Sequence, residues 1–388
     1  MKSNYHSKIY AKWILSGIII VLLILLFVFK ISHEMTDFEV CYRAGKRILA
    51  GETLYQMADG HEQFKYPPFS AFFFSPLTFL PLSLAKGIWY FVVLFTYFIS
   101  LYLSFRLLPE KRKKAGSLIF LTFLILTKFF GRELQLGQVN CLIILLLLIM
   151  IYQLLQGREG TSGLLWAGAS IIKPYALVFF PYFVIKKRFK IVLFGLSFFI
   201  LALFLPSIVY GIKGNLSILT DWRYTLSQTT SGLLGVYDNA SLYALFLKWF
   251  GQENQKLIFV LLASIIFFLA AMVLYLIIIE NREKDKLKWP EVLDCSILLI
   301  FIPLLSPLGW YYTYLFSMLA IMILINYFDK FPKAWKYVLL INFFLIGGSL
   351  YEILGAKLFR IYTELSIVTI NYLLVVISLF YLRFKRYC

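Results

Sequence analysis

The sequence is poor in charge and poorer still in acid. Charged residues make up 15% of its 388 positions, and 20 Asp and Glu stand against 38 Lys and Arg. Hydrophobic residues fill 61% of it, more apolar surface than a water-soluble fold of this length needs. Cysteine is rare. Cys41, Cys141, Cys295 and Cys388 lie far apart, without metal-ligand spacing and without the density of a disulfide framework. His6, His33 and His61 form no ligand pattern either. The chain has no P-loop, no GxGxxG after a strand, no HExxH and no GxSxG elbow. These absences exclude the common nucleotide, zinc-hydrolase and serine-hydrolase chemistries, and no metal or other cofactor is expected.

What the chain has is long apolar runs from end to end, the mark of a helical protein that spans a membrane many times. Trp13–Phe29 reads as a retained first span, not a removed signal peptide. A polar loop at 31–86 follows, broken by Pro67, Pro68, Pro76 and Pro81. It is expected to hold short helices along the membrane surface, with Gly51 ending the first. Further spans are expected at Ile88–Leu107, Leu118–Phe130, Val139–Tyr152, Val192–Tyr210, Ile258–Ile279, Val292–Leu305, Trp310–Tyr327, Trp335–Leu350 and Ile367–Leu382. That gives an all-α integral membrane protein, 1–388, of about ten spans. A second external loop is expected at 211–255.

One stretch breaks the pattern. Lys173-Pro174 interrupts an apolar run, and basic residues stand at both ends of it, Arg158 and Lys186–Lys190. A re-entrant hairpin over 161–185 keeps both ends on one side; such broken backbone survives in a membrane only under cover of protein or a water-filled cavity. The net charge of +18 lies in short loops such as EKRKK at Glu110–Lys114. It follows the positive-inside rule and not a nucleic-acid-binding face. Both termini are then cytoplasmic, in a bacterial-type plasma membrane.

In this orientation the unusual polar residues gather at the outer face. Asp37 begins a helix after the first span. Its ordinary reading is a helix N-cap, with Thr36 or Asp37 starting the helix, and its functional reading is a base that takes a proton from a hydroxyl. One carboxylate is enough if the leaving group is a phosphate, which departs without an acid; a glycosidase needs two at set separation. Arg132, Lys65, Lys173 and Arg43 are the cations available to such a phosphate. Lys173 lies inside an apolar run, where a charge costs roughly several kcal/mol unless paired or functional. Gln138 and Asn140 are placed either to bind sugar hydroxyls or to cap the helix that starts there. Asn239, Ser306, Trp310 and Tyr312 complete the outer cluster. No loop is long enough for a nucleotide-binding domain, so a donor would be carried on a lipid.

Together these residues resemble glycosyltransferase family 87. The resemblance rests on Asp37, Tyr42, Ala44, Leu49, Gly51 and Tyr55, then YPPF at Tyr66–Phe69, Pro76, Pro81 and Trp89. It continues in GQVN at Gly137–Asn140, AGASIIKP at Ala167–Pro174, NASL at Asn239–Leu242 and SPLGW at Ser306–Trp310. The family is of GT-C type and includes polyprenol-phosphate-mannose-dependent α-mannosyltransferases. The resemblance implies a GT-C-like bundle and an inverting transfer from a polyprenyl-phosphate sugar, mannose first among the candidates. The acceptor would be a glycolipid or envelope glycan at the outer face, and Asp37 the catalytic carboxylate. One departure stands out: relatives typically carry histidine after the SPxxW element, where this chain has Tyr312 and Thr313. The rival class is a transporter or flippase of lipid-linked glycans, which would need polar residues along a path across the bilayer; here only Lys173 lies deep.

Overall fold

The computed structural model describes residues 17–18, 20–282 and 289–387. The basic segment Met1–Lys12, the start of the first expected span and most of the charged run Glu280–Lys288 lie outside them. Among the described residues every regular element is helical, and the one extended pairing is an isolated bridge between Asn239 and Trp310.

Among the described residues ten full spans do not form. Four helices there are long and apolar enough to cross a membrane: α4 (Leu82–Arg106), α5 (Ala115–Leu136), α12 (Gln255–Arg282) and α17 (Ile367–Phe384). Two bent pairs raise the number to six: α9 (Phe189–Phe204) with α10 (Ser207–Ser231) at 93°, and α15 (Lys333–Gly348) with α16 (Tyr351–Glu364) at 105°. Of the first expected span the described part is α1 (Ile20–His33); the other apolar runs are shorter helices, α6 (Asn140–Leu155), α13 (Pro290–Leu305) and α14 (Met318–Asn326). These fall short of a span in length, and some of them also lie inside the protein. Every residue of α14, and every residue of α13 from Val292 to Leu304, is buried in protein. A helix that is apolar all round is a core helix as readily as a lipid-facing one, and hydropathy does not separate the two. At the other extreme α12 has only 11% of its apolar window covered by protein. The run expected at Trp310–Tyr327 also starts as a 3-10 turn, Tyr311–Ser317, before α14.

The first loop folds as expected into short helices. These are α2 (Thr36–Ala50), a 3-10 turn at Met57–Glu62, α3 (Pro68–Phe74) and a second 3-10 turn at Ser75–Phe79. Gly51 ends α2 in the left-handed region at φ 69°. α2 is amphipathic and buries Phe38, Cys41, Tyr42, Ala44 and Ile48. Its charged face is tied down: Lys86 reaches Glu39 at 2.6 Å, and Arg47 grips both carboxylate oxygens of Asp59 at 2.5 and 2.8 Å.

The segment around Lys173 breaks where the sequence says it should. α7 (Glu159–Ile172) stops, Lys173 is extended, and a 3-10 turn Pro174–Phe179 leads into α8 (Phe180–Ile185). Gly163 packs on Ile191 and Gly195, while Ala167 and Ile171 cluster with Ala202 further along. α7 and α9 therefore run parallel, so the chain between them turns back. Its two ends meet where Arg188 pairs with Glu159 at 2.9 Å.

Candidate active site

The site starts from a turn. Gly137 closes α5 in the left-handed region at φ 66°, and a Cβ there would sit 2.7 Å from Cβ of Phe38. Only glycine lets α2 approach this closely. The carbonyl of Gly137 is fixed by Trp89 Nε1 at 2.9 Å. The close approach brings Gln138 against Asp37, and Gln138 Nε2 donates to Asp37 Oδ2.

Behind that contact runs a directed chain of hydrogen bonds. Lys173 Nζ donates to Gln138 Oε1 at 2.8 Å and to Asn140 Oδ1 at 3.3 Å, and Tyr66 donates to the same Gln138 oxygen at 3.2 Å. Asn140 Nδ2 donates to Glu133 Oε2 at 2.8 Å, and Glu133 Oε1 accepts from the backbone N–H of Cys141 at 3.0 Å. Glu133 is fully buried and caps α6 with its carboxylate. Lys173 is buried between the rings of Tyr66 and Tyr175, at 5.1 and 5.3 Å.

Asp37, Gln138, Tyr66, Lys173 and Tyr175 border a cavity of about 1750 Å³. Asp37, Lys65, Arg132, Gln138, Lys173, Ser306, Trp310 and Tyr312 all line it. Three expected residues do not. Asn140 is fully buried behind Gln138, engaged with Lys173 and Glu133. Asn239 is fully buried, and backbone groups take up its amide: Nδ2 donates to Leu234 and Pro307, and Oδ1 accepts from Ser241 and Gly309. It holds the SPLGW loop in place, where Gly309 lies too close to Pro303 for any side chain. Arg43 pairs with Glu62 at 3.0 Å, off the cavity wall. Asp37 is not an N-cap. Met35 holds that position, and no side chain caps α2. Nor do Gln138 and Asn140 cap α6, whose N-cap is Val139.

The two positions after SPLGW part company. Tyr312 lines the cavity, while Thr313 is buried and donates to the Trp310 carbonyl at 2.5 Å. Burial lowers the Lys65 ammonium from its ordinary value, and the charge of Asp37 opposes that. Burial raises the carboxyl of Asp238, another wall residue, against the pull of Arg132. Arg132 itself donates to Gln135 at 2.7 Å.

Sequence reasoning missed several wall residues. Tyr66 opens the YPPF motif and Tyr175 follows AGASIIKP, and those places were the signal for them. Lys128 sits inside the expected span Leu118–Phe130, so it carries the same signal as Lys173, a charge within an apolar run, and Lys173 is not the one deep cation. Trp222 in the middle of α10 and Asp238 beside Asn239 carry no mark of the cavity in the sequence. Trp222 Nε1 donates to the Lys65 carbonyl at 3.0 Å, so the loops at 31–86 and 211–255 join beside the cavity, and Tyr210, just before the second loop, donates to the Glu52 carbonyl at 2.7 Å.

An all-helical membrane protein with one large cavity, a carboxylate at its wall and cations around it has the make-up of a membrane-embedded transferase. The chain belongs to glycosyltransferase family 87, which matches residues 64–307. That stretch holds Lys65, Arg132, Gln138, Lys173 and Asn239. Asp37, Trp310 and Tyr312 lie outside it. No curated protein and no solved structure matches the chain.

Proposed function

We propose that this glycosyltransferase moves a hexose, mannose first among the candidates, from a polyprenyl-phosphate sugar to a glycolipid or envelope glycan at the outer face of the membrane, with inversion. The observation that carries the reading is Asp37, held at the cavity wall by Gln138. One oxygen accepts from that amide. The other is left for an acceptor hydroxyl.

The steps follow from simple chemistry. Asp37 takes the proton of the acceptor hydroxyl as its oxygen attacks the anomeric carbon. The bond from that carbon to the donor phosphate breaks, and its electrons leave with the phosphate. Arg132 and Lys65 balance the charge the phosphate gains. Lys173 is committed to Gln138 and Asn140, so its part is to hold Gln138 and, through it, Asp37. Trp310 and Tyr312 offer ring faces and a hydroxyl to the sugar. The outward orientation is supported by the basic loops at the far end of α5 from Gly137.

The test is transfer from radiolabelled polyprenyl-phosphate mannose to extracted lipids in proteoliposomes. Asp37→Asn keeps an acceptor oxygen for Gln138 and so keeps the fold, yet should lower turnover by about 10²–10⁴-fold. Equal labelling by wild type and D37N would place the base elsewhere, with Asp238 next in line. Movement of intact donor across the bilayer without transfer would establish the transporter reading instead.

A further inference from the structure

The cavity extends well beyond Asp37. Lys128 lies on α5, about 12 Å along the helix axis from the Gly137 turn, and lines the cavity where α15 bends into α16. Its ammonium donates to Ser349 Oγ and stands over the rings of Phe129, Tyr362 and Tyr311 at 4.7, 5.3 and 5.9 Å. Among the described residues no carboxylate lies within ion-pair distance of it. Tyr311 also lines the cavity, and its hydroxyl is buried without a hydrogen-bond partner. One helical turn further on, Arg132 stands on the same wall.

A half-buried lysine held by a hydroxyl and ring faces but by no carboxylate, beside a buried hydroxyl without a partner, is an incomplete arrangement. Each costs free energy unless a ligand satisfies it. From these groups we infer that Lys128, Ser349 and Tyr311 form a binding site for the phosphate group of a lipid substrate. An ammonium and two hydroxyls suit a tetrahedral anion with several acceptor oxygens. The site's position at the elbow of a bent helix pair gives a lipid head a way in from the membrane. Two substrates of the proposed reaction carry such a phosphate: the polyprenyl donor, and an acceptor whose sugar is built on a phospholipid. The assignment rests on the transferase reading above.

The experiment measures binding to purified full-length protein in detergent, by quenching of tryptophan fluorescence, since Trp222 and Trp310 line the cavity. Polyprenyl monophosphate and phosphatidylinositol are the two probes. Lys128→Met should bind one of them at least about tenfold more weakly than wild type, the loss of a charge-assisted hydrogen bond. Loss for polyprenyl monophosphate assigns the site to the donor, and loss for phosphatidylinositol assigns it to the acceptor. Unchanged binding of both by K128M overturns the site while leaving the transferase reading intact. Failure of wild type to bind either lipid counts against the lipid-donor reading as well. If K128M does not fold, Tyr311→Phe and Ser349→Ala put the same question, and wild-type affinity in both overturns the site.

Discussion

At the scale of single residues, the site is a problem of direction. An amide has a donor end and an acceptor end, and each here is oriented by its neighbours. Glu133 accepts from Asn140 Nδ2, so Asn140 turns its oxygen to Lys173. Lys173 can only donate, so the Gln138 oxygen faces it and the Gln138 nitrogen faces Asp37. Lys65 gives the prediction at this scale. Its folded pKa is lowered by burial, so it loses its proton, and its charge, at a lower pH than an exposed lysine. Donor binding should hold at neutral pH and weaken as the pH rises through that lowered value, seen as a rising KM for the donor. Lys65→Arg keeps its proton and should extend the plateau to higher pH. Superimposable profiles for the two proteins would remove Lys65 from the phosphate.

At the scale of elements, the turn between α5 and α6 sets the distance from α2 to the rest. Gly137→Ala meets both a positive φ and a contact with Phe38. It should cost about 1–3 kcal/mol and lower the melting temperature in detergent. Turnover should fall too, because Phe38 adjoins Asp37. Gly116→Ala is the control: it lies in the first turn of α5, with open space around it. A G137A protein as stable and active as G116A would mean that α2 adapts. The break at Lys173 works in the same way. It ends α7 so that a lysine side chain, and not a helical turn, reaches Gln138.

At the scale of the whole molecule, the question is which way the cavity opens. α5 begins just after the basic run and ends at Gly137, so Lys114 and the cavity sit at opposite ends of one span. Cys41, Cys141 and Cys295 are buried, which keeps the thiol background low once Cys388 is replaced by serine. A cysteine in place of His61, at the rim of the cavity with its side chain 95% exposed, should react with a membrane-impermeant maleimide in intact cells. One in place of Lys114 should react only after permeabilisation. The reverse pattern would put the cavity on the cytoplasmic side.

The sequence by itself determined the class. Its apolar content requires helices in a membrane. Gly51 and the Lys173-Pro174 break mark element ends, because backbone chemistry at such positions is local, whereas α5 runs past the expected end at Phe130 to Leu136. Its ordered motifs pointed to the family. Only the tertiary structure decided which apolar helices face lipid and which fill the core, since both are written in the same residues. It also moved Asn239, Asn140 and Arg43 off the cavity wall and brought Lys128, Trp222 and Asp238 to it. Those assignments depend on contacts between segments far apart in the chain, such as Asn239 with Pro307 and Lys128 with Ser349. A side chain's partners are set by what packs beside it, and one sequence read along its length does not contain that distance.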